Sequence, residues 1–209
     1  DVCSSDLSDA ATFAAPVTIQ TPSGGSISVD GLIQGSGIAS ITLTGTTDLG
    51  AGLSTANGNI TVTGAVTLSG TVSVDTSTGN NNISFSSTIN GAQALTLAAG
   101  TGTTTVSGVI GGSTGLSSLT ISGSGAITLN NIGDSDTAGV TGATALTGAA
   151  TLEGGTYKTD GTQTYTGAVT VGADTTFTTS NDNVTFSSTL DSDDTARAVT
   201  VAAGTGTVK

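Results

Sequence analysis

The chain has 209 residues, of which 32 are glycine, 3% are aromatic and 9% are charged, so its core must consist of small side chains that salt bridges cannot organise. A net charge of −12 with only three basic residues excludes a surface that neutralises nucleic-acid phosphates or anionic lipids. The absence of histidine removes a usual zinc ligand and the usual base of a serine or cysteine nucleophile. No apolar run approaches the roughly 20 residues of a membrane span.

The first seven residues resemble the translation of the end of a common short-read sequencing adapter, GAC GTG TGC TCT TCC GAT CT. We therefore predict that residues 1–7 are foreign to the native protein and set them aside, together with Cys3, the single cysteine. The alternative is a genuine N-terminal tail with an inert thiol. On the first interpretation the chain is a fragment, and the missing signal peptide says nothing about its cellular compartment.

Alternation of aliphatic and hydroxyl residues dominates the rest of the chain, and it is the period of a half-buried strand. β-Branched residues suit such a pleated surface. No stretch shows apolar residues at three- and four-residue spacing, so we expect essentially no helix. Glycines separate the strands as turn signals. Representative predicted strands are Ile60–Thr63, Val66–Leu68, Val72–Val74, Ile83–Phe85, Leu95–Leu97, Leu119–Ile121 and Val184–Phe186.

An internal repeat of about a hundred residues organises the second part of the chain. Three blocks return in the same order and at similar displacements: TVTGAVTLSGTVSVDTS from Thr61 as TYTGAVTVGADTTFTTS from Thr164, ISFSSTI from Ile83 as VTFSSTL from Val184, and LTLAAGTGT from Leu95 as VTVAAGTGT from Val199. We accordingly divide the chain into an N-terminal β-repeat segment (8–57), a first repeat (58–160) and a truncated second repeat (161–209).

Many short strands fit an all-β protein of one of two architectures, a parallel β-helix (β-solenoid) or a tandem of antiparallel β-sandwiches. Scarce aromatic residues favour the solenoid, because a sandwich of this size needs bulky side chains between its sheets. A solenoid instead stacks small aliphatic residues from successive coils. We expect the following side chains to point into a common interior: Val62, Leu68, Val74, Phe85 and Leu97.

The segments TGAVTLSGT, ISFSSTI and LTLAAGTGTTTVSGVIGG resemble the Gly/Thr-rich strand repeats of giant secreted bacterial surface proteins of the filamentous-haemagglutinin or autotransporter-adhesin type. The resemblance covers about residues 58–209 and implies a right-handed β-helical shaft, outside the cell or on the bacterial surface, with a role in adhesion or display. No segment resembles a secretion domain, a haemagglutination cap or a sugar-binding module. A host or environmental surface or glycan would therefore be bound by other parts of the full-length protein.

Acidic clusters are the remaining candidates for chemistry. Asp191-Ser192-Asp193-Asp194 falls between two strand patterns, and Asp134-Ser135-Asp136 is similar, so both are predicted to be solvated turns, with a weak calcium site as the alternative. Gly100-Thr101-Gly102 lacks the Gly-Lys-Thr/Ser of a phosphate loop, and Arg197 is interpreted as a solubilising charge near a strand end. We therefore predict no catalytic, cofactor-binding or metal-binding residue.

Paired threonines form a further pattern that resembles the ice-binding faces of solenoid antifreeze proteins. Strand propensity alone also explains them, and an ice-binding face requires one pair per coil in register. The pairs are Thr42–Thr44, Thr61–Thr63, Thr103–Thr105, Thr164–Thr166 and Thr176–Thr178.

From the sequence we thus expect a non-enzymatic shaft or spacer of an exported bacterial surface protein, which inserts into no membrane, needs no cofactor and binds no nucleic acid. An ice-binding or polysaccharide-binding solenoid is the alternative. Uncapped terminal coils also predict end-to-end self-association.

Overall fold

Strands stacked in parallel make up the whole fold. The computed structural model describes residues 6–7, 9–21 and 24–209, which form 26 strands and no helix, so this part contains no helix able to cross a membrane. Every strand pairing among these residues is parallel. The chain is a β-solenoid, as predicted, and the alternative of antiparallel sandwiches is wrong.

Each coil of the solenoid crosses three faces in the order A, B, C. Face A consists of β1 (Asp6–Leu7), β4 (Ser26–Val29), β7 (Thr46–Leu49), β10 (Val66–Leu68), β13 (Ile89–Asn90), β20 (Thr156–Lys158), β23 (Thr175–Thr178) and β26 (Val199–Ala202). Between β13 and β20, face A narrows to single parallel bridges at Ile110 and Ile132.

Faces B and C are nine-stranded sheets. Face B consists of β2 (Ala11–Phe13), β5 (Ile33–Gly35), β8 (Leu53–Thr55), β11 (Val72–Asp75), β14 (Ala94–Gly100), β16 (Ser118–Gly123), β18 (Thr144–Leu146), β21 (Gln163–Tyr165) and β24 (Val184–Phe186). Face C consists of β3 (Val17–Gln20), β6 (Ile41–Thr44), β9 (Ile60–Val62), β12 (Ile83–Phe85), β15 (Thr104–Val106), β17 (Ile127–Leu129), β19 (Ala150–Leu152), β22 (Val169–Val171) and β25 (Leu190–Ser192).

Coil length varies, although the strands stay in register. The coil that separates the paired residues Ile41 and Ile60 is clearly shorter than the coil that separates Leu119 and its partner Thr144. The strands differ little in length, so the variation lies mostly in the corners between faces. A corner can lengthen towards solvent at little entropic cost, whereas a shift of one residue in a strand would turn its aliphatic side chains outward.

The core is a set of columns in which side chains from successive coils stack. All five side chains predicted to point inward, Val62, Leu68, Val74, Phe85 and Leu97, are at most 3% exposed, which confirms the prediction. Each fully buried aliphatic side chain contributes about 1.5–3 kcal/mol, so repetition accumulates stability without a large central core.

Glycine is required at the corner between faces B and C because successive corners lie in direct contact. A Cβ atom added to any glycine of the stack would overlap a backbone carbonyl of the preceding coil. The stack comprises Gly102, Gly125, Gly148 and Gly167. The glycine signals in the sequence thus mark close packing between coils as well as turns.

Equivalent strands of the two sequence repeats lie on different faces of the solenoid. Thr61 lies in β9 on face C, whereas its counterpart Thr164 lies in β21 on face B. Leu95 in β14 on face B likewise corresponds to Val199 in β26 on face A. The distance from a strand to its counterpart in the second repeat is therefore four complete coils plus two faces of the next coil. The structural unit common to both copies is a strand with its corner.

The division of the chain at residues 7, 57 and 160 stays a prediction. Residues 1–5 lie outside the described residues, and Asp6 and Leu7 form β1, which pairs with β4.

Candidate functional surface

The outward side of face C carries a continuous column of small hydroxyl residues, which we call column 1. Neighbouring members occupy directly paired positions in successive strands from β3 to β25. The column comprises Thr18, Thr42, Thr61, Ser84, Thr105, Thr128, Thr151, Thr170 and Asp191. Every position except the last is therefore threonine or serine.

A second outward column, column 2, lies two residues further along each strand. Ladder hydrogen bonds hold its backbone in the same register, for example from the amide of Thr63 to the carbonyl of Leu43 (3.0 Å) and from the amide of Ser86 to that of Val62 (2.9 Å). Its members are Gln20, Thr44, Thr63, Ser86, Ser107, Asn130, Glu153, Gly172 and Asp193. Four successive coils, those of β6, β9, β12 and β15, thus present a hydroxyl residue in both columns.

The predicted threonine pairs are only partly brought together. Thr42–Thr44 and Thr61–Thr63 stand side by side on face C. Thr105 lies in column 1 two coils beyond Thr61, with Ser84 between them, whereas Thr103 precedes β15. The other two pairs lie on different faces, Thr164–Thr166 at β21 on face B and Thr176–Thr178 in β23 on face A. The pairs Ser84–Ser86 and Thr105–Ser107 also lie in both columns and were not predicted, although each follows the same alternation of aliphatic and hydroxyl residues.

Part of face C carries no outward charge, and the same holds for the part of face B from β14 to β24. From β3 to β17, neither column 1 nor column 2 contains a charged residue, whereas face A presents Asp48 among its outward residues and face B presents Asp75. We call this neutral part of columns 1 and 2 the hydroxyl face. One carboxylate oxygen of Asp48 is buried and has no hydrogen-bond partner among the described residues.

Both acidic clusters form local contacts in corners. Asp134 accepts hydrogen bonds from the amides of Asp136 (2.9 Å) and Thr137 (2.6 Å), and the amides of Thr137 and Asp136 lower the pKa of the Asp134 carboxyl group. In the described part of the chain, no three acidic side chains gather where they could hold a metal ion. Asp134 and its neighbours are therefore explained by the turn that they build.

The second cluster differs from its prediction at its start. Asp191 and Ser192 belong to β25, so the predicted turn begins only at Asp193. Strand pairing with β22 explains this, because the second copy of the repeat places the segment at the edge of face C. Arg197 lies just before β26 and donates to both carboxylate oxygens of Asp193 (3.0 and 2.7 Å), which lowers the pKa of Asp193.

A buried polar network lies in the interior near β20 and β21. The Gln163 amide donates to the carbonyls of Tyr157 (2.8 Å) and Thr178 (2.9 Å) and accepts a hydrogen bond from the Tyr165 hydroxyl (3.0 Å). The Tyr157 hydroxyl donates to the Leu129 carbonyl (3.2 Å). Burial raises the pKa values of both tyrosines. No sequence pattern predicted this network. Because the network is buried, its role is packing.

Comparison of the chain with protein-family models, with curated proteins and with solved structures found no match.

Proposed function

We propose that the chain is a non-enzymatic structural shaft or spacer of an exported bacterial surface protein. The observation that carries the proposal is the continuous parallel strand pairing from coil to coil, which runs through β3 to β25 on face C and β2 to β24 on face B. Resemblance of the repeats to those of secreted surface proteins supports the exported location.

A rod is what this architecture supplies physically. Each coil adds about 4.8 Å along the axis, so the nine coils of face C extend about 43 Å. Every coil contacts only its neighbours, and further coils of the same kind lengthen the rod without changing its cross-section.

Rigidity of the rod is tested with spin labels at Thr18 and Thr170, which lie in column 1 seven coil steps apart. We expect a narrow distance distribution, with the labelled backbone positions about 34 Å apart. Labels at Thr61 and Thr105, two steps apart, serve as the matched control. A broad distribution for the distant pair alone would contradict a shaft.

The spacer function is tested by display of residues 9–209 between a bacterial outer-membrane anchor and a terminal epitope. We expect beads that carry an antibody against the epitope to capture these cells. Cells in which a stiff rod of unrelated sequence and equal length replaces the segment should be captured equally well. A flexible Gly/Ser linker with the same mean span should present the epitope less well, because it samples collapsed conformations. Equal capture with the flexible linker would overturn the proposal.

A further inference from the structure

We propose that the hydroxyl face of face C is an interaction surface for ice, an extended and uncharged water lattice. The inference goes beyond the shaft function and stands on the register of columns 1 and 2. Pairing in the sheet aligns these columns even though the intervening coils differ in length, since the coil from Val17 to Ile41 is longer than the coil from Ile41 to Ile60.

The hydroxyl face is a grid with two fixed spacings. Adjacent parallel strands lie about 4.8 Å apart, and alternate residues along one strand lie roughly 6.6 Å apart. Oxygen atoms on the prism faces of hexagonal ice repeat at comparable spacings in two perpendicular directions. Continuous side-chain ladders are also the feature that keeps a many-stranded sheet flat, as contact with a crystal plane requires.

Side chains of column 1 suit a water lattice because they are both preorganised and free to hydrogen-bond outward. Threonine is β-branched and stiff at χ1, so its hydroxyl and methyl groups hold one orientation when neighbours pack on both sides. Thr42, Thr61 and Thr105 are half-buried by such neighbours. Within the described residues, no side-chain hydrogen bond engages a hydroxyl of column 1, whereas in column 2 the Thr63 hydroxyl donates to the Leu43 carbonyl (3.3 Å).

Neutrality of the surface favours ice over charged partners. A carboxylate pressed against an uncharged lattice would lose hydration without a counter-charge, and the hydroxyl face contains none from β3 to β17. Charges return only further along the face, at Glu153, Asp191 and Asp193.

A regular lattice also explains the surface better than a sugar polymer does. The described tyrosines, Tyr157 and Tyr165, are buried, and no aromatic ring stands in either outward column to stack on a sugar. A single polymer chain would in addition gain little from the second column. Paired hydroxyls in four successive coils fit a partner that repeats in two dimensions.

The test is partition of the fluorescently labelled protein into a single ice crystal grown slowly from dilute solution. We expect enrichment in the ice relative to a non-binding protein. Thr61→Lys and Thr105→Lys, which place a bulky charge in the middle of column 1, should each reduce the enrichment at least tenfold. Thr105→Val keeps the shape but removes the hydroxyl, and should reduce it less.

Matched controls place the same change on face B. Thr120→Lys and Thr164→Lys also replace half-buried outward threonines in central strands, and they should leave the enrichment unchanged. Unchanged thermal midpoints show that each variant is folded. Exclusion of the wild-type protein from ice, equal loss in the face B controls, or binding to crystalline cellulose in place of ice would each overturn the proposal.

Discussion

Two tyrosine hydroxyls are buried in the core, where the rings of Tyr157 and Tyr165 both pack against Phe177. Tyr157 and Tyr165 each donate a hydrogen bond, to the Leu129 carbonyl and to the Gln163 amide oxygen, so neither phenol is left unpaired. The phenolate would have to keep its charge inside an apolar interior, and this is why burial raises both pKa values above 10.0. The folded state therefore favours the protonated tyrosines.

At the residue scale, we predict that the protein loses stability at alkaline pH. The tyrosines of the unfolded chain ionise near pH 10 while those of the folded chain stay protonated, so stability is complete below pH 10 and falls as the pH rises further. The slope contributed by each tyrosine is about 1.4 kcal/mol per pH unit. Urea unfolding of the wild type and of the double variant Tyr157→Phe/Tyr165→Phe from pH 8 to 12 measures how steeply the free energy of unfolding falls with pH in each protein. Equal slopes in the two proteins would contradict the prediction.

The corner that contains Asn80 in the first repeat shares its backbone conformation at this residue with the corner that contains Asn181 in the second repeat. Asn80 and Asn181 both adopt left-handed backbone conformations (φ 56° and 70°). Each accepts a hydrogen bond from the next coil, from the amide of Thr101 (2.9 Å) and of Thr205 (3.1 Å) respectively. The first corner joins faces B and C, whereas the second joins faces A and B. The same corner sequence therefore works at different edges of the solenoid.

At the element scale, we predict that Asn80→Ala destabilises the protein by about 1–3 kcal/mol. It removes the bond to the next coil and places alanine in a conformation that asparagine tolerates better. Asn57→Ala is the matched control, because Asn57 is an exposed residue of the same corner one coil earlier. Denaturant midpoints measure both changes. Equal effects of the two substitutions would show that the cross-coil bond contributes nothing.

At the scale of the whole molecule, stability depends on whole coils in register. Ile41 and Ile60 are direct partners, so deletion of residues 42–60 removes one complete coil and joins two equivalent positions. We predict that this variant folds cooperatively as a rod about 4.8 Å shorter. Deletion of residues 42–51 removes half a coil and should prevent folding of the N-terminal coils. Circular dichroism and small-angle scattering compare the two, and similar unfolding of both would contradict the prediction.

The last coils expose an edge that predicts self-association of this polypeptide. Leu190, Val199 and Val208 are 36%, 41% and 50% exposed, and the outer edges of β25 and β26 pair with no strand of the described chain. Repulsion from the net charge of −12 opposes contact but is screened beyond about 8 Å at physiological salt. We therefore expect oligomers that grow with salt concentration in sedimentation experiments.

Lysine at this edge should suppress the association. The double variant Val199→Lys/Val208→Lys places charges at the exposed edge, whereas Ile38→Lys changes a residue that is 77% exposed at a corner near the other end of the solenoid. We expect the first variant to be monomeric and the second to behave as the wild type. A wild-type monomer at all salt concentrations would count against an adhesive edge.

The sequence by itself determined the strands and the orientation of their side chains. Alternation at Ile60–Val62 or Ile83–Phe85 is local, and it fixes which residues are buried wherever the strand is placed. Scarcity of large side chains was enough to favour the parallel stack over a sandwich, because no bulky residues were present to fill the space between two sheets.

Only the tertiary structure decided which strands share a face. Thr61, Ser84 and Thr105 are distant and unevenly spaced in the sequence, yet they form one column. The two repeats, by contrast, are similar in sequence, yet their equivalent strands lie on different faces, as Thr61 on face C and Thr164 on face B show. Strand pairing aligns residues across coils, whereas the corners that set coil length are held by contacts with the neighbouring coil, such as the bond from the Thr101 amide to Asn80. Those contacts exist only once the coils are stacked, so no local pattern could specify the columns.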